Sequence, residues 1–278
     1  MVKIFMCTHK SVELCPPLCV PVQGGASLSP PIENAISDNG KKGSISHKNP
    51  QYCELTVQYY AWKNEDLDYY GFCHYRRFFC FDRSITSPYL VFDKIPQKKM
   101  KLLGSEEEIK KIVKEYDVIV PRGEDVGVSA YEKYASSPHH FKEDIDLFVS
   151  LINEMYPHLT PYAKEYLQGR VQYFCNMFIM KREIFFEYSE ILFSLLEELD
   201  KRKAPHGYFQ GDRTNGYLGE RLLGIYLLYL KDKGKKIGEL SRIDTMCPLK
   251  KRIANKLFPP QSRRRLFIKA IGKRGIKK

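Results

Sequence analysis

The chain has 278 residues, 43% of them hydrophobic and 28% charged, and a formal net charge of +12. That balance suits one large globular domain, or a domain with a small appendage, and excludes a disordered chain. No run approaches the roughly 20 apolar residues that a bilayer span needs.

The location of the charge is more telling than its size. Residues 248–278 hold 12 basic side chains and no acidic one, leaving 33 of the 45 Lys and Arg to balance all 33 Asp and Glu. A neutral body argues against nucleic acid as the partner, and gives the basic tail an anionic partner of its own. The division expected is a domain over 1–247 and a tail over 248–278. The first residues run straight into a strand pattern without signal-peptide features, so the cytosol or a cytosolic membrane face is the expected location. Eight cysteines include no Cys-x-x-Cys pair. Buried reduced thiols are expected, and structural zinc is not.

Residues 2–7 (VKIFMC) read as a first strand, with Thr8, His9 and Lys10 at its carboxyl end. Residues 18–23 read as a second, weaker strand. Gly24 and Gly25 follow, where backbone without a Cβ can approach a ligand. Residues 37–49 are loop-like, and Asp38 in them either meets a ribose or sugar or closes an Asx turn. Residues 50–64 read as one helix started by Pro50, with Glu54 placed to favour the helix dipole.

The stretch that organises the chain is 68–79, DYYGFCHYRRFF. Its apolar first half reads as a buried strand of a parallel sheet. His74, Arg76 and Arg77 follow at once, and ligands of open α/β sheets bind beyond the carboxyl ends of strands. Two guanidiniums there suit phosphate oxygens. Read alone, the pair is equally a set of solvated surface charges.

Residues 84–101 read as an irregular flap. Ser105 and Glu108 make a capping box for a helix to about 116. Residues 117–121 form a buried-type strand with Arg122 beyond it, and 123–130 a loop. His139 and His140 diverge as neighbours do, which weakens a metal reading. Residues 141–155 are an amphipathic helix. Residues 173–181 read as a strand whose one neutral polar residue is Asn176, a buried amide needing a partner. A helix over 182–200 and a loop over 201–214 with His206, Asp212 and Arg213 come next. A helix over 215–231 carries Glu220 and Arg221, and 237–243 forms a last strand. The alternation indicates an α/β fold with a mainly parallel sheet.

Several segments together resemble one family. They are Asn49-Pro50-x-Tyr52-Cys53-Glu54-Leu55-Thr56, Trp62-Lys63-Asn64, and Asp68-Tyr69-x-Gly71-x-x-His74-Tyr75-Arg76-Arg77. Later come 118–121, 176–181 and Gly216-Tyr217-x-x-Glu220-Arg221-Leu222. The chain from about residue 2 to 229 is similar to bacterial glycosyltransferases of capsule, exopolysaccharide and lipopolysaccharide gene clusters, whose domain was long catalogued as one of unknown function. The resemblance implies an A-type (GT-A, Rossmann-like) fold that transfers a hexosyl group from a nucleotide-diphosphate sugar, a UDP-sugar, to a lipid-linked saccharide. Some relatives are assigned as galactofuranosyltransferases using UDP-galactofuranose.

That fold usually places an Asp-x-Asp metal motif after the central strand. Here His74-Tyr75-Arg76-Arg77 stands there, so no Mg²⁺ or Mn²⁺ is expected to be required, and two guanidiniums take its place at the leaving diphosphate. On this reading Arg76 and Arg77 hold the phosphates with Lys10 as helper. Thr8, His9, Gly24 and Gly25 cradle the nucleotide, Asp38 meets ribose or sugar, and Asn176 faces the donor. Glu220 is the first candidate for the base, Asp212 the second, and His74 touches donor rather than acting as base. In the tail, Leu266, Phe267, Ile268, Ile271 and Ile276 interleave with Lys and Arg, a pattern for an anionic membrane surface. The rivals are a non-catalytic saccharide- or nucleotide-binding partner of a synthase, and a nucleic-acid-binding protein acting through the tail.

Overall fold

The computed structural model describes residues 1–138, 140–203, 213–250, 253 and 257. Asp212, His139, His206 and nearly all of the basic tail lie outside the described residues. The first four strands are β1 (Val2–Thr8), β2 (Cys19–Gln23), β3 (Ile36–Ser37) and β4 (Tyr69–His74). They lie in the order β3-β2-β1-β4, all parallel. β1 is buried along almost its whole length, as a parallel strand covered on both faces must be.

The rest of the sheet corrects the expectation of a mainly parallel one. β5 (Arg77–Cys80) starts after a turn of only two residues, and so short a connection forces antiparallel pairing, with His74 opposite Arg77. β6 (Tyr89–Val91), β7 (Val118–Pro121), β10 (Phe178–Lys181) and β11 (Ile237–Asp244) complete it, while β8 (Glu124–Asp125) pairs with β9 (Val171–Gln172) apart from it. β10 runs antiparallel to both β4 and β7. β11 is antiparallel to β5 and parallel to β6 and β7. The path β4-β10-β7-β11-β5 therefore returns to β4 and closes a ring. The sheet is mixed, and its parallel part is the N-terminal half.

Helices cover both faces. α1 (Asn49–Tyr52), α2 (Leu55–Asn64), α5 (Lys142–Met155), α6 (Thr160–Gln168), α7 (Arg182–Arg202) and α8 (Thr214–Asp232) share one core with Phe5, Tyr70, Phe72 and Phe178. Phe185 of α7 stacks on Tyr70 at 4.3 Å and on Phe72 at 5.4 Å. α3 (Glu106–Lys114), capped by Ser105 and Glu108 as expected, packs Ile109, Ile112 and Val113 against the other face. α4 (Ala130–Ala135) lies beside α5 and α6.

Three segments depart from expectation, and each departure bears on the site. The helix read over 50–64 breaks between α1 and α2, because Cys53 takes φ 53°. The strand read over 173–181 shrinks to β10, because Cys175 and Asn176 take φ 78° and 45°. The flap read over 84–101 contains β6, held in the ladder by β11. Among the described residues no helix is long and apolar enough to cross a membrane.

Candidate active site

The turn between β4 and β5 places three basic groups on one cavity of about 440 Å³. His74 ends β4, Arg76 sits in the turn, Arg77 opens β5, and all three line the cavity. Arg77 lies across the ladder from Asp244, which also lines it. Tyr75 points the other way; its ring lies 4.5 Å from that of His74, with Lys10 and Arg76 on its faces at 5.3 and 5.8 Å. His74 is pushed down to about 2, first by burial and then by Arg77 and Arg76. Its Nδ1 is buried without a hydrogen-bond partner. His9 sits beside it, ring centres 6.2 Å apart, and is also lowered, by burial and by Arg213. Two neutral imidazoles thus stand among guanidiniums, a field that favours an incoming anion.

The floor of the cavity is built where chain elements break. Asn176 donates from Nδ2 to Glu54 Oε1 at 2.8 Å and to the Gly216 carbonyl at 3.0 Å. The N–H of Cys175 donates to Glu220 Oε1 at 2.6 Å. Two consecutive left-handed residues cost about 1–3 kcal/mol each, and they persist because both carboxylates hold them. Arg213 donates from Nε to Cys53 Sγ at 3.0 Å, joining the start of α8 to the break between α1 and α2. Glu220 is raised above the ordinary carboxylate range by burial and by Glu54, against the pull of Arg221.

α8 brings Tyr217, Glu220 and Arg221 to the cavity. Its first turn is tied down by Asp200, which accepts from Asn215 at 3.0 Å and Tyr52 at 2.7 Å. Its middle is fixed by a close crossing. A Cβ on Gly224 would stand 2.0 Å from the Tyr166 ring of α6, so the two helices approach over a residue without a side chain.

The sequence-derived residues divide in two. His74, Arg76, Arg77 and Glu220 line the cavity, and Asn176 lies under it beside Glu54 and His74. Thr8, Gly24, Gly25 and Asp38 instead build the shelf below His9. Asp38 is 0% exposed; its carboxylate accepts from Gly25 N at 2.8 Å, from Ala26 N at 3.0 Å and from the Ser46 hydroxyl. Those bonds engage the Asp38 carboxylate within the protein, the local role that the sequence left open beside a ribose or sugar contact. The Thr8 hydroxyl closes on Lys10, donating to its carbonyl at 2.5 Å. Gly25 is left-handed at φ 72°, and a Cβ on Gly24 would meet Asn49 and Cys7 at 3.0 and 3.1 Å, so both glycines serve packing here. Lys10 faces Tyr75 rather than the cavity lining. The second base candidate, Asp212, lies outside the described residues.

The structure adds residues that sequence reasoning passed over. Glu54 makes no cap bond for α2, and its carboxylate serves Asn176 instead. Arg242 is 6% exposed, paired with Asp244 at 2.6 Å and Glu124 at 3.0 Å. The signal was available: charges at i and i+2 of a strand share a face. Arg213 and Arg221 also line the cavity, with Lys133 and His140 from the α4 region. No group of three His, Cys, Asp or Glu side chains able to hold a metal occurs among the described residues. The position after the central strand offers one imidazole and two guanidiniums, and a guanidinium has no acceptor to give a divalent ion.

No curated protein matches the chain. Among solved structures it resembles the apo structure of the bifunctional glycosyltransferase WbbM, at 32% identity and a TM-score of 0.82. The likeness covers 88% of this chain and 45% of that one, so the chain spans about half the length of WbbM. Residues 3–232 match the family model described as a domain of unknown function, DUF4422. The chain belongs to this family, and the segments singled out in the sequence fall within the matched residues.

Proposed function

We propose that the protein is a glycosyltransferase that moves a hexosyl group from a nucleotide-diphosphate sugar to a saccharide acceptor. The observation that carries this is Arg76, Arg77 and His74 facing Glu220 across one polar cavity. A departing nucleoside diphosphate gains charge on its phosphates, and guanidiniums fixed in place stabilise it without reorganising. The acceptor hydroxyl must lose a proton, and a carboxylate with raised proton affinity suits that task. Glu220 is such a group. The likeness to WbbM supports the class of reaction.

The finer reading rests on the family resemblance. The donor is a UDP-sugar, with UDP-galactofuranose as the first to try, and the diphosphate is neutralised by side chains without Mg²⁺ or Mn²⁺. The acceptor is a lipid-linked saccharide of a surface polysaccharide. The basic tail holds the enzyme at the anionic cytosolic face of the membrane that carries it. Leu249, Ile253 and Leu257 are exposed at one-turn spacing where that tail begins.

A thermal-shift screen tests the core of the proposal. Nucleotide-diphosphate sugars and UDP should raise the melting temperature, while free hexoses at the same concentration should not, because a ligand bound only by the folded state stabilises it. No shift with any nucleotide would overturn it. Binding of UDP-sugars without turnover on any saccharide would favour the non-catalytic partner.

A further inference from the structure

The cavity holds further basic groups besides those of the turn. Arg221 is 3% exposed, yet its partners are poor. Its Nη1 lies 3.4 Å from Glu220 Oε2, and its Nε is buried with no hydrogen-bond partner. The other oxygen of Glu220 is already taken by the Cys175 N–H. The guanidinium leans over the Tyr134 ring at 5.8 Å. Lys133, next to Tyr134 on α4, lines the same cavity and makes no ion pair among the described residues. By contrast Arg242, nearly as buried, is held by two carboxylates. A buried guanidinium recovers its desolvation cost only when its donors are matched. Arg242 meets that condition within the protein, whereas Arg221 lacks a match for its Nε.

We propose that Arg221, with Lys133, forms a second anion site, which takes a carboxylate or phosphate carried by the acceptor saccharide. The acceptor class is then an acidic glycan, bearing a uronate or a phosphate ester near the hydroxyl that reacts. The placement has a consequence for the reaction. Arg221 is the partner of Glu220, the candidate base. An acceptor anion that draws Arg221 to itself leaves Glu220 freer to accept the hydroxyl proton, so the neutral analogue loses activation as well as binding. The inference rests on the transferase reading for its acceptor, but the site can be tested by binding alone.

The experiment holds the full-length protein saturated with UDP, which occupies the turn end, and titrates methyl glucuronide, glucose 6-phosphate and neutral methyl glucoside. The expected result is saturable binding of an anionic sugar at least about tenfold tighter than methyl glucoside, the effect of one charge-assisted contact of about 1.4 kcal/mol. The preferred anion identifies the source, carboxylate or phosphate. Arg221→Gln should abolish the preference, and Lys133→Gln should weaken it without touching Glu220. Equal binding of charged and neutral sugars would overturn the proposal, as would a preference that survives both substitutions. Failure of UDP itself to bind would strike the transferase reading instead; the anion titration without UDP would then still read the Arg221 site.

Discussion

The Glu220 carboxylate accepts the Cys175 N–H at 2.6 Å, so the candidate base is aimed by a residue whose own backbone is left-handed. The bond fixes one carboxylate oxygen and leaves the other toward Arg221. Cys175 sets the direction, while burial and Glu54 raise the proton affinity against the pull of Arg221 and of the Cys175 N–H itself.

Glu220→Gln tests the assignment. The amide oxygen of Gln can take the same N–H, so the floor of the cavity should stay in place. The proton acceptor is lost. Transfer should fall by about 10²–10⁴-fold, the usual worth of a positioned base. UDP binding, measured by calorimetry, should stay near wild type. Near-normal turnover would remove Glu220 from the role and direct attention to Asp212.

Arg77 should matter through its shape as well as its charge. It opens β5 under the constraint of the ladder, so its fork is held toward the cavity. Arg77→Lys should weaken UDP binding about as much as Arg77→Gln, by roughly 1.5–3 kcal/mol for a lost charged hydrogen bond, because an ammonium cannot present two parallel donors. If guanidiniums do the work of a metal, EDTA should leave transfer mostly intact. Full loss with EDTA, restored by Mn²⁺, would defeat that part of the reading.

What the sequence made legible follows from how local each signal was. The run 68–79 announced both a buried strand and its polar end, and His74, Arg76 and Arg77 do meet at one cavity. The capping box at Ser105 is as local, and it forms. The mixed half of the sheet was hidden, because β10 finds its place between β4 and β7 through partners some 60 to 110 residues away. The breaks at Cys53 and Cys175–Asn176 were hidden too. Neither is glycine, and their left-handed backbones are imposed by tertiary bonds from Arg213, Glu54 and Glu220. Glu54 was read by a helix rule, and its carboxylate answers to Asn176, 122 residues away.

The two histidines make stability fall in acid. His74 binds its proton far more weakly in the fold than in the unfolded chain, where the ordinary value near 6.5 applies. A lowered folded value means that stability is fully present above about pH 6.5 and is lost as pH drops below it, at up to about 1.4 kcal/mol per pH unit for each such group. His9, more solvent-facing, adds less. Thermal denaturation from pH 7 to 5 should show this slope, and His74→Gln should flatten it by close to one proton. An unchanged slope would place the acid sensitivity elsewhere.

Gly224→Ala tests how α8 is held. The new methyl would enter the Tyr166 ring, which is buried and whose hydroxyl oxygen accepts the Tyr173 N–H at 3.2 Å, so the ring has little room to yield. Overpacking of this kind costs about 1–3 kcal/mol, or a few degrees of melting temperature per kcal/mol for a domain of this size. Replacing Tyr166 with Leu in the same protein should return much of the loss. Absence of any destabilisation would mean that α6 and α8 part easily, and that the cavity wall is soft.

The tail prediction separates attachment from catalysis. Residues 248–278 carry 12 positive charges and no negative one, and each basic residue near an anionic leaflet contributes about 1 kcal/mol at low salt. The full-length protein should sediment with vesicles containing phosphatidylglycerol and remain in solution with neutral phosphatidylcholine. A chain ending at Cys247 should lose vesicle binding while keeping the thermal shift with UDP, because among the described residues none after Asp244 lines the cavity. Raised salt should release the full-length protein, since the attraction is screened within a Debye length of about 8 Å at physiological ionic strength. If the shortened chain binds vesicles as well as the whole, the membrane contact belongs to the body. The tail would then be left as a solvated extension.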